Sequence, residues 1–313
     1  MSTTSFSRRD SLKLLGASVG LSLLPGQTQA EPVVAPGPLT YCLNLSTIRG
    51  HKLGFVKELE VASKAGFRSV EIWMDTLQNY LKEGGTVQDA RKRISDLGLK
   101  IENAIGFATW IVDDDTTRNK GLEQLKQEME LLAQIGCHRT AAPPMGATEQ
   151  PGLDLKKAAE RYRTILELGE KTTVMPQLEM WGFSKNLSRV SEVMYVALES
   201  GHPKARVLLD VYHLYKGGSS IESLALVGKP ALEIFHVNDY AADMPVATIT
   251  DADRIYTGDG VAPIRKILQA VKAPDRPLVI SFEVFNKKYY TQEPLLVAQT
   301  ALNKMKAVTK GIG

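Results

Sequence analysis

The sequence predicts an α/β fold of the closed (β/α)8 type, a TIM barrel. Short, continuously apolar runs alternate with segments of helical spacing, which is typical of a parallel sheet covered by helices. Eight such strand–helix units follow one another between residues 40 and 310, and this number favours a closed barrel over an open, doubly wound sheet. After the first strand the chain reads Asn44-Leu45-Ser46-Thr47. The glycine-rich turn of dinucleotide-binding sheets is absent there, which argues against a nucleotide-binding domain.

The apolar runs define eight predicted strands. In chain order they cover residues 41–45, 68–73, 100–105, 138–142, 174–179, 206–210, 232–237 and 278–283. Helical spacing predicts the helices that follow them at 53–65, 87–97, 122–135, 155–171, 190–199, 221–227, 261–271 and 294–310. Gly66, Gly98 and Gly136 end the first three helices, because a glycine just past the last turn readily takes the left-handed conformation. Residues 40–313 are therefore predicted to form a single barrel domain.

The first 39 residues are predicted to lie outside the barrel. Arg8 and Arg9 belong to a twin-arginine pattern, an apolar run covers residues 14–24, and a small-residue site ends at Ala30. This order is typical of an export signal, and the apolar run is too short to anchor a protein across a bilayer. We therefore expect residues 1–30 to be a twin-arginine export signal and residues 31–39 a proline-rich lead-in. The protein would then be periplasmic or otherwise extracytoplasmic, without a stable membrane anchor.

Charge and cysteine content exclude several classes of partner and of scaffold. The net charge of +3 falls to +1 without the predicted signal, which holds three basic residues and one acidic residue, and no long run of one sign occurs. Neither a nucleic acid nor an anionic membrane surface is indicated as a partner. Cys42 and Cys137 lie in apolar, strand-like segments and are interpreted as core residues. The sequence leaves open whether they form a disulfide and whether the protein is a homo-oligomer.

Ionisable residues end four successive predicted strands. Glu179, Asp210, His236 and Glu283 occupy the ends of strands five to eight. Because the active sites of such barrels lie at the carboxyl ends of the strands, we expect these side chains to meet. Carboxylates with one imidazole suit a single divalent ion such as Mn²⁺, Mg²⁺, Co²⁺ or Zn²⁺, and without a cation they would repel one another. The alternative is that each faces solvent, which the apolar residues around them disfavour.

The segments around these residues resemble a known family. They read Gln177-Leu178-Glu179, Leu209-Asp210-Val211-Tyr212-His213, Phe235-His236-Val237-Asn238-Asp239 and Ser281-Phe282-Glu283. They are similar to segments of the sugar phosphate isomerase/epimerase family, whose barrel is xylose-isomerase-like and whose members include ketose 3-epimerases, hydroxypyruvate isomerases and inosose dehydratases. The resemblance covers roughly residues 40 to 310. It implies that the four strand-end residues bind one divalent metal, and that Glu179 and Glu283 exchange protons with carbon on opposite faces of the substrate.

The resemblance also implies two polar contacts with the substrate. His213 follows the family pattern Asp-x-x-His and would bind a substrate oxygen, the alternative being a capping or surface histidine. Arg254 lies in the segment 251–260, which resembles a family segment except that Thr257 stands where a proline is common. Its guanidinium would donate to a substrate oxygen. The alternative is a surface ion pair with a neighbouring aspartate.

Five further residues are predicted to line or support the site. Glu71 is a candidate for substrate contact because family members often carry a polar residue near the end of strand two. Trp110 and Trp181 are candidates for the aromatic wall of a sugar pocket, with core packing as the alternative. Asp239 is expected to orient a metal ligand by contacting that ligand and not the metal itself, with a turn cap as the alternative. Tyr212 lies between Asp210 and His213 and is expected to support the same region.

These features predict a metal-dependent sugar enzyme. Removing a proton beside a carbonyl builds an enediolate, which a divalent metal stabilises while a carboxylate acts as the base. We expect an isomerase or epimerase of an unphosphorylated sugar or keto-sugar, because export and the lack of a Lys/Arg cluster disfavour a phosphorylated one. A dehydratase or lyase of a keto-sugar or inosose would use the same site. A non-catalytic sugar-binding barrel is a weaker alternative. So is an apurinic endonuclease, which needs more histidine ligands than a chain with five histidines offers.

Overall fold

Eight parallel β-strands form the centre of the molecule. The computed structural model describes residues 39–273 and 276–312. The strands are β1 Leu39–Asn44, β2 Ser69–Trp73, β3 Lys100–Ile105, β4 Arg139–Ala142, β5 Met175–Glu179, β6 Val207–Asp210, β7 Ile234–Val237 and β8 Leu278–Phe282. Every strand end lies within two residues of its predicted position. The continuous apolar runs thus located all eight strands.

Ten α-helices surround or cap the strands in the described part of the chain. They are α1 Ser46–Arg49, α2 Phe55–Ala65, α3 Met74–Lys82, α4 Val87–Asp96, α5 Asp115–Gln134, α6 Leu155–Thr172, α7 Val190–Glu199, α8 Val211–Gly217, α9 Ile264–Val271 and α10 Pro294–Thr309. The short helices α1, α3 and α8 directly follow strands and were not predicted. The predicted helix 221–227 is instead a 3₁₀ helix, Glu222–Leu226. Helix α5 begins earlier than predicted because the Asp114 carboxylate accepts a hydrogen bond from Thr117 N (2.8 Å) and caps it.

The strands follow one another around a nearly closed barrel. Their order is β3-β2-β1-β8-β7-β6-β5-β4, and each hydrogen-bonded pair is parallel. The two end strands also meet, since Thr140 Oγ1 of β4 donates to Ala104 O of β3 (3.3 Å). The predicted (β/α)8 class is therefore confirmed.

Apolar side chains fill the barrel and the layer between strands and helices. The buried set includes large residues such as Phe235 and Phe282. Cys42 and Cys137 belong to the same core, each fully buried and unpaired. Their interpretation as core residues is confirmed, and the open question of a disulfide is answered by two free thiols.

Ion pairs occupy the amino-terminal mouth of the barrel. The Glu233 carboxylate accepts hydrogen bonds from Arg139 Nε (2.6 Å) and Arg206 Nε (3.0 Å). Glu102 pairs with Lys100 Nζ (2.8 Å) and with Arg139 Nη1 (3.2 Å). These carboxylates are paired with cations at the amino-terminal mouth, which leaves the ionisable strand-end residues at the opposite mouth as the functional candidates.

The predicted amino-terminal segments lie almost entirely outside the described residues. Strand β1 begins at Leu39, the last residue of the predicted lead-in. The predicted export signal, residues 1–30, is not described, so it stays a prediction. Within residues 39–273 and 276–312, no helix is both long enough and apolar enough to span a membrane.

Candidate active site

Three buried ionisable side chains meet at the carboxyl-terminal mouth of the barrel. Asp210 ends β6, His236 lies in β7 and Glu283 directly follows β8. Each offers a donor atom, and these atoms all lie within 4.8 Å of one another. His236 Nδ1 is 3.2 Å from Glu283 Oε2 and 3.9 Å from Asp210 Oδ2. Three of the four predicted metal ligands thus form one compact group.

The fourth predicted ligand, Glu179, lies beside this group. It ends β5, is only 5% exposed and lines the same cavity as Glu283. Its Oε2 atom is buried and has no hydrogen-bond partner among the described residues. Burial, reinforced by the charge of Glu283, raises the pKa of Glu179 to about 8. A buried carboxyl oxygen without a partner is costly, so we expect a bound ligand to satisfy it.

The charge balance of the site calls for a cation. Four buried carboxyl groups lie within or beside this ionisable group. They belong to Glu71, Glu179, Asp210 and Glu283. The buried guanidinium of Arg254 offsets part of this charge, with Nη1 2.7 Å from Glu283 Oε2. Burial disfavours a charged His236, but the carboxylates of Glu71 and Glu283 outweigh burial and hold its pKa well above the usual range. The donor set and its excess negative charge therefore fit a divalent cation.

Glu71 does not contact the cavity, which corrects the predicted role in substrate binding. It is fully buried in β2, and its Oε2 lies 2.8 Å from His236 Nε2. The same oxygen accepts from Ser281 Oγ (2.5 Å), and Oε1 accepts from Asn103 Nδ2 (2.8 Å). Glu71 points to the barrel interior two residues before its strand ends, so it reaches the back of the imidazole. If His236 holds a metal ion, a carboxylate at this position would keep the ring proton on Nε2 and leave Nδ1 for the ion.

Two asparagines hold the ligand carboxylates and were missed from the sequence. Asn44 Nδ2 donates to Glu283 Oε1 (2.9 Å) and to Glu71 Oε2 (3.1 Å). Asn238 Nδ2 donates to Asp210 Oδ2 (2.9 Å). Both follow the pattern of the ligands, since Asn44 ends β1 and Asn238 follows β7. A search of strand ends for neutral hydrogen-bonding residues would have found them.

His213 is positioned by Asp210 and by a close contact with Gly182. Asp210 Oδ1 caps α8 by accepting from His213 N (3.0 Å). Gly182 N donates to His213 Nδ1 (3.2 Å), and a Cβ at Gly182 would lie 2.3 Å from His213 O. Burial, with a smaller effect from Arg254, holds the pKa of His213 well below its usual range. The neutral imidazole therefore carries its proton on Nε2, because Nδ1 accepts from Gly182.

Arg254 and His213 present two donors at almost the same point. Arg254 Nη2 lies 3.3 Å from His213 Nε2, and neither proton-bearing nitrogen can satisfy the other. Their arrangement suits one shared acceptor, such as a substrate oxygen. Arg254 also pairs with Asp251, as the alternative interpretation expected, but it is fully buried, and Tyr212 supports it with a ring 4.4 Å from its guanidinium carbon.

Asp239 is a turn cap, which corrects its predicted role behind a metal ligand. Its carboxylate accepts hydrogen bonds from the backbone N–H groups of Tyr240, Gly258 and Ala262, each at 2.9 Å. It also pairs through its backbone with Ile255. Asp239 therefore holds the loop that carries Arg254, while the neighbouring Asn238 contacts Asp210 of the ionisable group.

An aromatic cavity of about 340 Å³ opens above the ionisable group. Its walls include five aromatic residues, Trp73, Phe107, Trp181, Phe183 and Phe285. Trp181 stacks on Phe183 with ring centroids 5.3 Å apart, so it lies in the wall as expected. Trp110 does not line the cavity, which corrects the expectation that it forms part of the aromatic wall. It is buried in the core, where Nε1 donates to Pro143 O (2.9 Å).

The sequence pattern of the xylose isomerase-like TIM barrel family matches residues 59–308. The chain belongs to this family. It is 28% identical over 265 residues to an inosose isomerase of Bacillus velezensis, covering 82% of this chain and 91% of that protein. An inosose isomerase of Bacillus subtilis is also 28% identical, over 261 residues, covering 80% of this chain and 90% of that protein.

Solved structures of other proteins show the same fold. The crystal structure of the IolI protein with a bound zinc atom has a TM-score of 0.79 at 24% identity, and the match covers 87% of this chain and 99% of that one. D-psicose 3-epimerase in the presence of D-fructose has a TM-score of 0.71 at 16% identity, covering 88% of this chain and 100% of that one. At these identities the likeness concerns the fold alone.

The remaining histidines do not extend the ionisable group. His51 lies against Gln292 O, and His138 lies against Thr173 O. His202 Nε2 is 3.7 Å from Glu170. Within the described ranges, Asp210, His236 and Glu283 are the only three such side chains close enough to share an ion. The arrangement suits one metal, as predicted for a sugar enzyme of this family.

Proposed function

We propose that the protein is a divalent-metal-dependent isomerase or epimerase of an unphosphorylated sugar or keto-sugar. The relatives named inosose isomerase indicate the general class, an enzyme that isomerises or epimerises sugars. The finer proposal rests on how four side chains are arranged. Two buried carboxyl groups, Glu179 and Glu283, line an aromatic cavity beside the Asp210–His236 pair.

The two carboxyl groups reach the cavity from different sides. Glu179 ends β5 and Glu283 follows β8, and two strands separate β5 from β8 in the barrel. One group can remove a proton beside the carbonyl while the other returns a proton to the opposite face. His213 and Arg254 donate hydrogen bonds to the substrate oxygen on which negative charge develops.

The metal supplies one part of this chemistry. Glu179, Asp210, His236 and Glu283 would hold a divalent ion, whose charge stabilises the enediolate oxygens of the substrate. The Glu71 carboxylate and the two asparagines hold these ligands in place before substrate arrives. Preorganised ligands lose less entropy on binding the ion.

The cavity walls support a neutral, ring-shaped substrate. Aromatic faces pack well against the C–H faces of a sugar ring, and they make up much of the wall. Of the two cations that line the cavity, Arg254 is already paired with carboxylates, and Lys287 is exposed. No phosphate cradle is formed by these residues, which supports an unphosphorylated substrate.

Product analysis in deuterated water tests this function. Metal-loaded protein is incubated with inososes, ketoses and aldoses, and products are followed by NMR and mass spectrometry. We expect deuterium at the carbon beside the carbonyl, interconversion of isomers and loss of turnover with a chelator. Loss of water from the substrate would instead identify a dehydratase. Sugar binding without turnover, unaffected by the chelator, would identify a non-catalytic barrel.

We also propose export through the twin-arginine pathway, on the basis of the amino-terminal sequence. Residues 1–30 fused to a folded reporter should carry it across the bacterial inner membrane. Replacing both Arg8 and Arg9 by lysine should keep the reporter in the cytoplasm. Export of the double variant at the original level, or retention of the unchanged fusion, would contradict the proposal.

A further inference from the structure

A second cavity adjoins the aromatic one. It has a volume of about 820 Å³ and lies between α2, α3 and the segment that follows β8. Phe285 and Lys287 line both cavities. Three packed side chains, those of Arg49, Trp73 and Phe285, lie between the cavities. The Arg49 guanidinium is 4.3 Å from the Trp73 ring, and Trp73 packs edge-on against Phe285. Phe285 belongs to both walls, so a molecule that extended beyond it from the aromatic cavity would enter the second one.

The second cavity contains a buried carboxyl group that the protein leaves unpartnered. Glu58 in α2 lines the cavity and is only 3% exposed. Among the residues that the structure describes, its side chain has no hydrogen-bond partner. Burial raises the pKa of Glu58 to about 7, and Arg49 offsets this only in part. The carboxyl oxygens of Glu58 are open to the cavity and have no partner in the described part of the protein, so a ligand in the cavity can supply one.

The rest of the wall defines the chemistry of that ligand. Asn79 adds an amide, and Tyr80 and Tyr290 add aromatic surface. Arg49 is already paired with Asp75. The wall also carries charges of both signs, from the exposed side chains of Lys52, Lys57, Lys287 and Glu83. Hydrogen-bonding side chains alternating with aromatic faces suit a neutral ring that carries hydroxyl groups, with hydroxyls donating to the carboxyl group and C–H faces on the aromatic rings.

We infer that the second cavity binds the second ring of a two-ring substrate, a hydroxylated ring joined by a glycosidic bond to the sugar in the aromatic cavity. This inference rests on the proposed function for the identity of the reacting ring. It goes further in naming the substrate class as glycosides. A free monosaccharide is small enough to lie within the aromatic cavity of about 340 Å³, and it would leave the cavity of about 820 Å³ unused.

Calorimetric binding of one-ring and two-ring sugars tests the inference without turnover. The full-length, metal-loaded protein is titrated with glucose and with cellobiose. We expect cellobiose to bind about tenfold more tightly than glucose. Asn79→Trp, at an exposed position of α3, places an indole in the second cavity. It should reduce cellobiose affinity to about that of glucose and leave glucose affinity unchanged.

Two further variants make the result specific to the cavity. Lys82→Trp is the matched control, because Lys82 is exposed on the same helix and outside the cavity. It should leave both affinities unchanged. Glu58→Gln should weaken the binding of cellobiose and leave the binding of glucose unchanged. Thermal unfolding checks that this variant is correctly folded.

Equal affinity for the two sugars would overturn the inference. So would unchanged cellobiose binding in Asn79→Trp, or no cellobiose binding at all. Failure of the proposed function would look different, since the protein would then turn over no keto-sugar while the difference between the two sugars in calorimetry persisted. Turnover of one-ring keto-sugars with equal affinities would refute the second subsite alone.

Discussion

At the residue scale, the orientation of His236 depends on a residue outside the cavity. The side chain lies between Glu71, 2.8 Å from Nε2, and Glu283, 3.2 Å from Nδ1. When a metal ion displaces the proton on Nδ1, the Glu71 contact would keep the remaining ring proton on Nε2 and leave Nδ1 to face the ion. Ser281 and Asn103 in turn hold the Glu71 carboxylate. Metal affinity should therefore depend on a residue that touches neither metal nor substrate.

Replacing Glu71 by glutamine tests this dependence. We expect the affinity for Zn²⁺ or Mn²⁺ to fall about 10- to 100-fold, because the amide can present a donor to Nε2 and favour the wrong tautomer. Competition with a chromophoric chelator measures the affinity. Glu102→Gln is the matched control, a buried carboxylate of the neighbouring strand at the opposite mouth of the barrel. Unchanged affinity in a folded Glu71→Gln variant would refute the positioning role.

Glu58 makes stability depend on pH. Its pKa is about 7 in the folded protein against an ordinary value of 4.5, so the folded state binds the proton more tightly than the unfolded state. Its contribution to stability is fully present below about pH 4.5 and is lost as the pH rises through about 7. Arg49 and Asp75 are the charged groups that face it.

Glu58→Gln should therefore gain stability relative to the unchanged protein as the pH rises. The relative gain between pH 4.5 and 8 is at most roughly 3 kcal/mol. Denaturant unfolding of both proteins at several pH values measures it. A difference in free energy of unfolding that stays constant across this range would show that the pKa of Glu58 is the same in the folded and unfolded states.

At the element scale, the strands were predictable and the loops that build the site were less so. Continuous apolar runs located all eight strands, and their carboxyl-terminal ends gave Glu179, Asp210 and His236. Helix α8 was missed because its cap, Asp210, was interpreted as a strand end alone, whereas it is both. Short helices after strands carry too few turns for a periodic pattern to show.

The partners of the ligands could not be predicted because they depend on which way a side chain points. Buried strands are apolar on both faces, so alternation does not show that Glu71 points to the barrel interior. Asn44 meets Glu283 across 239 positions of sequence. Trp110 resembled a cavity residue by its place after a strand, but the fold turns it into the core. Such pairings are decided by tertiary packing.

The contact between the β5 loop and α8 should not tolerate a side chain. In Gly182→Ala the new Cβ would lie 2.3 Å from His213 O and 2.7 Å from Gly217 N, so α8 must move. We expect lost activity, because His213 shifts away from Arg254, and a destabilisation of about 1–3 kcal/mol. Activity assays and thermal unfolding measure the two effects. Wild-type activity and stability would show that α8 adjusts freely.

At the scale of the whole molecule, the metal should stabilise the fold. Its proposed ligands come from β5, β6, β7 and the end of β8, so binding ties half of the strands together. A ligand that binds only the folded state at 100 times its dissociation constant adds about 2.7 kcal/mol. Removing the metal with a chelator should lower the melting temperature by several degrees, and adding Zn²⁺ or Mn²⁺ should restore it. A melting temperature unaffected by the chelator would contradict this linkage.

The central claim is that Glu179 and Glu283 move the substrate proton. Glu179→Gln and Glu283→Gln are compared with the unchanged protein for exchange of deuterium from solvent into a keto-sugar substrate, with bound metal measured in every sample. We predict that isomer interconversion per bound metal falls about 100-fold or more in each variant. Full exchange and interconversion per bound metal in either variant would contradict the claim.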